Sequence, residues 1–294
     1  MNLQKTLAAS LLAIAAAAWA DAPFPGAEKV MVPHAADGAS PPAITGWWIS
    51  AGDGQQPKPA VLALHGCGGI YSARGDRQVF SARHADITRQ LHRAGYHVLW
   101  VDSFSDRGKT QICTEKIGAR GITARVRAGD VRAAMRWLGG RSEVDVGRIV
   151  WLGWSHGGST VLQALDARDE HWRELDPKPR AAAAYYPGCK AYDKPGYAVA
   201  VPTLVMIGEK DDWTPAPPCV SMAQRLSAAG AHLTLELYDD SYHGFDAPGP
   251  GRLQVRSDVP NGAMPGQGVT SGPNPAAREA SRKTLLEFLE RALD

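Results

Sequence analysis

The chain of 294 residues has little net charge, +2, and no basic run. Without an electrostatic footprint, nucleic-acid binding has no support. There is no C-x-x-C pair, and the four cysteines, Cys67, Cys113, Cys189 and Cys219, are too far apart for a zinc knuckle. The pattern G-x-x-x-x-G-K-[S/T] is absent, so no phosphate loop is expected. Past the N-terminus no apolar stretch reaches the roughly 20 residues that a spanning helix needs. No repeat and no compositional break divides the chain. Neither metal nor cofactor is expected, and the oligomeric state stays open.

The first residues read as a leader. Lys5 supplies a positive start, a small and apolar stretch follows up to Ala18, and Ala18-Trp19-Ala20 forms an A-x-A pattern before Asp21. That is the layout of a secretory signal peptide cleaved after Ala20. An uncleaved anchor is the alternative, but the apolar run is short for a span. Residues 1–20 are therefore expected to be removed, leaving 21–294 as a single domain, exported to the periplasm or medium and not inserted in a membrane. An even cysteine count suits that compartment.

Apolar strands and amphipathic helices alternate along the rest. Ile44–Ile49, Ala60–Leu64, Tyr96–Val101, Arg148–Leu152, Ala181–Tyr186 and Thr203–Ile207 read as strands, and His232–Tyr238 as one nearer the sheet edge. Ser81–Ala94, Ile122–Leu138, Gly157–Leu165, Pro218–Ala229 and Ala276–Leu293 read as helices. Continuous apolar strands separated by helices predict an α/β fold, a mostly parallel sheet with helices on both faces. Right-handed crossovers then gather the strand C-terminal ends, and any site, along one edge. Ala247–Pro275, rich in Gly and Pro, is expected to be a long loop. Loops of such length tend to be lids or mobile segments. A lid would predict that deletion alters substrate preference.

Gly153-Trp154-Ser155-His156-Gly157 fits G-x-S-x-G, between the strand ending at Leu152 and a helix. In that context the serine sits on a strained strand-to-helix turn, and bare glycines let the backbone pass. A serine hydroxyl needs a base to become a nucleophile. In this topology the acid and the histidine come later in the chain. Asp211 and Asp212 both follow the strand ending at Ile207, and His243 lies on the loop after the next one. His34, His84, His92, His97, His171 and His232 are expected to be structural or superficial. The side chain of His156 should turn away from the Ser155 hydroxyl. The Gly-rich loop His65-Gly66-Cys67-Gly68-Gly69 follows Ala60–Leu64 and suits an oxyanion hole, with the backbone N–H groups of Cys67 and His156 as donors. Cys67 as nucleophile is a weaker idea, because it lacks an elbow.

These segments together, with Gly208-Glu209-Lys210-Asp211 and His243-Gly244-Phe245, resemble the dienelactone hydrolase family of α/β-hydrolases from about Ala60 to the C-terminus. In that family a glycine precedes the acid by three positions and a proline follows by four. Gly208 and Pro215 put Asp211 in that register and leave Asp212 out by one. The resemblance implies the α/β-hydrolase fold and a catalytic Ser155–His243–Asp211 set. Founding members carry a nucleophilic cysteine; a serine is more typical of general esterases. The expected activity is cleavage of a small-molecule carboxylic ester, a lactone included, through an acyl-enzyme. A peptidase or amidase, an acyltransferase, or a non-catalytic binding protein on the same scaffold are the alternatives.

Some side assignments stay open. Arg74, Arg77 and Arg83 follow the Gly-rich loop, where one could bind a carboxylate, although surface roles are commoner for arginine. Trp213 and Tyr242 flank the acid and the histidine and could line a pocket. Adjacent strand ends suggest a Cys189–Cys219 disulfide, which leaves Cys67 to Cys113.

Overall fold

The computed structural model describes residues 22–34, 41–52, 54, 56–73, 79–264 and 266–294. The leader, Arg74 and Arg77 lie outside the described residues. Eight strands build the main sheet: β1 (Ala27–Pro33), β2 (Ala43–Ile49), β3 (Lys58–Leu64), β4 (His97–Val101), β5 (Val144–Trp154), β6 (Ala181–Tyr185), β7 (Thr203–Gly208) and β8 (Leu233–Tyr238). Their order is β1-β2-β4-β3-β5-β6-β7-β8. Strands β3 to β8 run parallel; β1 and β2 join antiparallel. β1 was not foreseen. Only Ala27, Val30 and Val32 are buried along it, and Met31 is half exposed, so it lacks the continuous apolar run that marks the central strands.

The helices are α1 (Ala82–Arg93), α2 (Ala124–Gly139), α3 (His156–Ala164), the short α4 (Glu170–Glu174), α5 (Ala216–Ala228) and α6 (Pro275–Leu293). Side-chain oxygens cap several starts: Ser81 for α1, Thr123 for α2 and Asn274 for α6. The core follows from composition. Ala60–Leu64 and Ala181–Ala184 are completely buried, and the four small alanines of β6 let α3 and α6 both approach that strand. Two aspects of the α/β expectation hold in detail: the parallel core, and β8 as the edge strand.

The 247–275 segment differs from the expected plain loop. It contains a small antiparallel pair, β9 (Gln254–Arg256) and β10 (Val269–Ser271). Val259 and Val269 are buried in a second apolar cluster with Cys67, Phe104, Ile112, Cys113 and Ile122. These apolar residues are too sparse to produce a periodic signal. Among the described residues no helix is long and apolar enough to cross a membrane.

Candidate active site

Strand β5 ends at Trp154, and Ser155 turns directly into α3 with φ 53° and ψ −115°. A positive φ in a non-glycine residue is strained and persists only where the surroundings over-determine it. Here the glycines do so. A Cβ on Gly153 would lie 2.4 Å from the Gly157 carbonyl oxygen, and one on Gly157 2.1 Å from that of Leu64. The Ser155 N–H is held by the Tyr185 carbonyl at 2.8 Å. The elbow is thus wedged between β3, β5 and β6, with its serine at the N-terminal end of α3.

Three loops then converge. His243 Nε2 lies 2.9 Å from Ser155 Oγ, and His243 Nδ1 lies 2.8 Å from Asp211 Oδ2. All three residues are buried. Asp211 Oδ1 accepts from the backbone N–H groups of Trp213 at 2.9 Å and Thr214 at 2.8 Å. Those bonds aim the other oxygen at the imidazole. The ring of His243 lies between Trp213 and Tyr186, with centroids 4.6 Å and 4.5 Å away. Asp212 is turned elsewhere: its Oδ1 accepts from Thr270 N–H at 2.7 Å and its carbonyl from Ala263 N–H at 2.7 Å. It anchors the 247–275 segment. Gly208 matters for this convergence, since a Cβ there would lie 2.2 Å from the Ser241 carbonyl oxygen.

A cavity of about 210 Å³ opens beside Ser155, with Cys67 and His156 both in its lining. Gly66 passes so close that a Cβ on it would be 3.4 Å from that of Ser155. His65, fully buried, braces this loop. Its Nε2 accepts from Ser103 N–H at 3.2 Å, so Nδ1 carries the proton and donates to the Gly66 carbonyl at 2.8 Å. Burial, aided by the Arg127 charge, holds its pKa well below the ordinary imidazole range. The Cys67–Cys113 disulfide, with Cα atoms 4.9 Å apart, ties the loop to the segment before α2; Cys189 pairs with Cys219. Both pairs match those suggested by topology.

A profile of the dienelactone hydrolase family matches residues 49–293. The chain belongs to the dienelactone hydrolase family. An uncharacterized Mycobacterium tuberculosis protein is 29% identical over 211 residues, covering 64% of this chain and 63% of the relative, so the alignment spans less than two thirds of that protein. Among solved structures, a putative dienelactone hydrolase from Klebsiella pneumoniae superposes with a TM-score of 0.65 at 16% identity, covering 90% of this chain and 98% of that one. Esterase 2 of Thermogutta terrifontis, phosphoramylated by tabun, gives 0.64 at 16% identity, with coverages of 91% and 95%. These two share the α/β-hydrolase fold.

Within this family member, several open assignments resolve. Arg83 is no free carboxylate receptor. Its Nε donates to Asp246 Oδ1 at 2.9 Å and its Nη2 to the Gly244 carbonyl at 3.1 Å. Trp213 lines the cavity; Tyr242 is half-buried and does not line it. The His156 ring turns to Arg127, whose Nη1 lies 2.9 Å from its Nδ1, in keeping with a side chain directed away from Oγ. His34 holds Asp130 at 3.0 Å, and His84 and His97 are buried, all in structural settings.

Two residues escaped the sequence. Tyr186, at φ 38°, packs its ring at a tilt against that of His243, and its hydroxyl donates to Asp246 Oδ1 at 2.6 Å. Asp246 Oδ2 also accepts from Trp154 Nε1 at 2.9 Å. Asp246 is three residues past His243, and no motif marks it. Its partners come from β5, the end of β6 and α1, so only folding brings them together.

Proposed function

We propose that this protein is an exported serine hydrolase that cleaves carboxylic esters through an acyl-enzyme. The observation that carries the reading is the continuous chain of contacts from Asp211 Oδ2 through the His243 ring to Ser155 Oγ, at 2.8 and 2.9 Å. In the proposed mechanism His243 Nε2 takes the Ser155 proton as Oγ attacks the carbonyl carbon. Asp211 keeps the Nδ1–H tautomer and stabilises the imidazolium that forms. The N–H groups of Cys67 and His156 receive the developing oxyanion, a type of contact whose loss costs about 100- to 1,000-fold in rate. His243 then returns the proton to the leaving alkoxide. Water, activated by the same histidine, attacks the acyl-enzyme and frees Ser155.

Family membership supports ester hydrolysis. The fold neighbour from Thermogutta terrifontis is an esterase, also solved with propionate bound (TM-score 0.61, 17% identity, coverages 91% and 94%). The leader-like N-terminus and two disulfides support export, with residues 21–294 as one domain. The test is hydrolysis of p-nitrophenyl acetate and butyrate by the mature protein and by Ser155→Ala, with fluorophosphonate labelling. Turnover and labelling that vanish in the variant are expected. A well-folded wild type with neither would refute the assignment, and cleavage of peptides without ester turnover would move it to the amidase class.

A further inference from the structure

The proposed triad opens on two separate cavities. The first, of about 210 Å³, is lined by Ser155 and by the two residues proposed as oxyanion donors, Cys67 and His156. The second, an open groove of about 520 Å³, has His243 in its wall and is lined by Arg83, Arg252 and residues 247–251. In acyl transfer the base must protonate the leaving oxygen, so the leaving group lies on the histidine side. The cavity around Ser155 is then the acyl side. Its walls are mainly apolar, from Ile117, Ala124, Ala191, Tyr192 and Trp213, and Arg120 and His156 are also among the lining residues.

The state of that ring is set from behind. Arg127 is completely buried. Its Nε donates to Ser103 Oγ at 3.0 Å, its guanidinium covers the Phe104 ring, and Nη1 meets His156 Nδ1 at 2.9 Å. A guanidinium has no acceptor, so Nδ1 must be the acceptor, and the ring proton of a neutral His156 is forced onto Nε2. Burial first, then the charges of Arg127 and Arg120, push the His156 pKa well below the ordinary imidazole range, which keeps the ring neutral. With Nδ1 taken by a buried arginine that does not itself line the cavity, the edge left for a ligand is the one carrying Nε2–H.

We propose that His156 is a specificity-determining residue: Arg127 locks it as the Nε2–H tautomer, and that N–H donates to an oxygen acceptor on the acyl group of the substrate. The enzyme then favours acyl chains that carry a keto or ether oxygen over plain aliphatic chains of equal length. An aliphatic chain would leave this donor without a partner, the situation in which polar discrimination is largest. This inference rests on the serine-esterase reading above.

The experiment compares kcat/KM for p-nitrophenyl pentanoate and hexanoate with esters of equal length bearing one keto or ether oxygen at acyl positions 3, 4 or 5. Each rate is divided by the spontaneous hydroxide rate. At least one oxygenated ester should be favoured about tenfold, the worth of one net hydrogen bond. Within His156→Leu the ratio should fall to about 1, and within His156→Gln, which keeps a donor, part of it should return. The ratio is internal to each variant, so a change in oxyanion stabilisation cancels. Independently of any variant, the 15N shifts of the His156 ring at pH 7 should show a protonated Nε2 and a bare Nδ1. Equal rates for all esters in the wild type, a preference that survives His156→Leu, or an Nδ1–H tautomer would each overturn the inference. Absence of both turnover and fluorophosphonate labelling would instead refute the hydrolase reading itself.

Discussion

Replacing Asp246 by alanine removes the acceptor of three donors at once: Trp154 Nε1, Tyr186 Oη and Arg83 Nε, at 2.9, 2.6 and 2.9 Å. Trp154 and Tyr186 are each only 1% exposed, so neither can turn to water. A buried donor left unpaired costs about 1–3 kcal/mol, which sets the two together at about 2–6 kcal/mol. Arg83 is 27% exposed and can recover solvation, so it adds least. Asp246→Asn keeps one acceptor oxygen but turns an N–H toward the remaining donors, and about 1–3 kcal/mol is expected. Urea unfolding at pH 7, compared at constant m, measures both. Function should suffer as well, because Trp154 precedes Ser155 and the Tyr186 ring packs against that of His243. A displacement of about 1 Å at the reacting groups costs on the order of 100-fold, so fluorophosphonate labelling should slow by about that factor. An Asp246→Ala protein within about 0.5 kcal/mol of wild type, the usual range of an inconsequential surface change, would refute the argument.

Asp211→Asn should lower kcat by about 10⁴-fold through loss of the correct His243 tautomer. Asp212→Asn, which touches Thr270 rather than His243, should retain most activity; equal losses in steady-state ester assays would contradict the assignment. Gly157→Ala places a methyl 2.1 Å from the Leu64 carbonyl oxygen. It should cost about 1–3 kcal/mol or more by overpacking and abolish labelling, as read by calorimetry and gel. Acid should weaken the fold through His84, whose pKa burial lowers to about 4. The unfolded chain gains that proton near 6.5 while the folded chain resists it, so stability falls as pH drops from about 6.5 toward 4, by about 3 kcal/mol from this group. His65 and His156 act in the same direction; His34, raised by its bond to Asp130, opposes them. Urea midpoints at pH 7 and 4.5 should differ less in His84→Gln than in wild type.

Local chemistry, written in short stretches of chain, is what the sequence determined by itself. Runs such as Ala60–Leu64 and Ala181–Ala184 have one environment open to them, the middle of a parallel sheet, and they occupy it. The elbow was legible because a serine at positive φ needs Gly153 and Gly157 beside it, and the spacing of the acid and the histidine follows from strand order. The same topology suggested the two disulfides without deciding between the three possible pairings. The tertiary structure decided whatever depends on residues far apart in the chain. It separated Asp211 from Asp212 by the direction of two adjacent side chains. It turned the Gly/Pro-rich 247–275 segment into a cavity wall, where Asn261 accepts from Ile117 N–H at 2.9 Å and donates to the Glu115 carbonyl at 2.8 Å. It assigned Arg83 to Asp246, and it placed Arg127 behind His156. No period or motif encodes such pairings, because each is a contact between single side chains whose partner is chosen by the packing of whole elements.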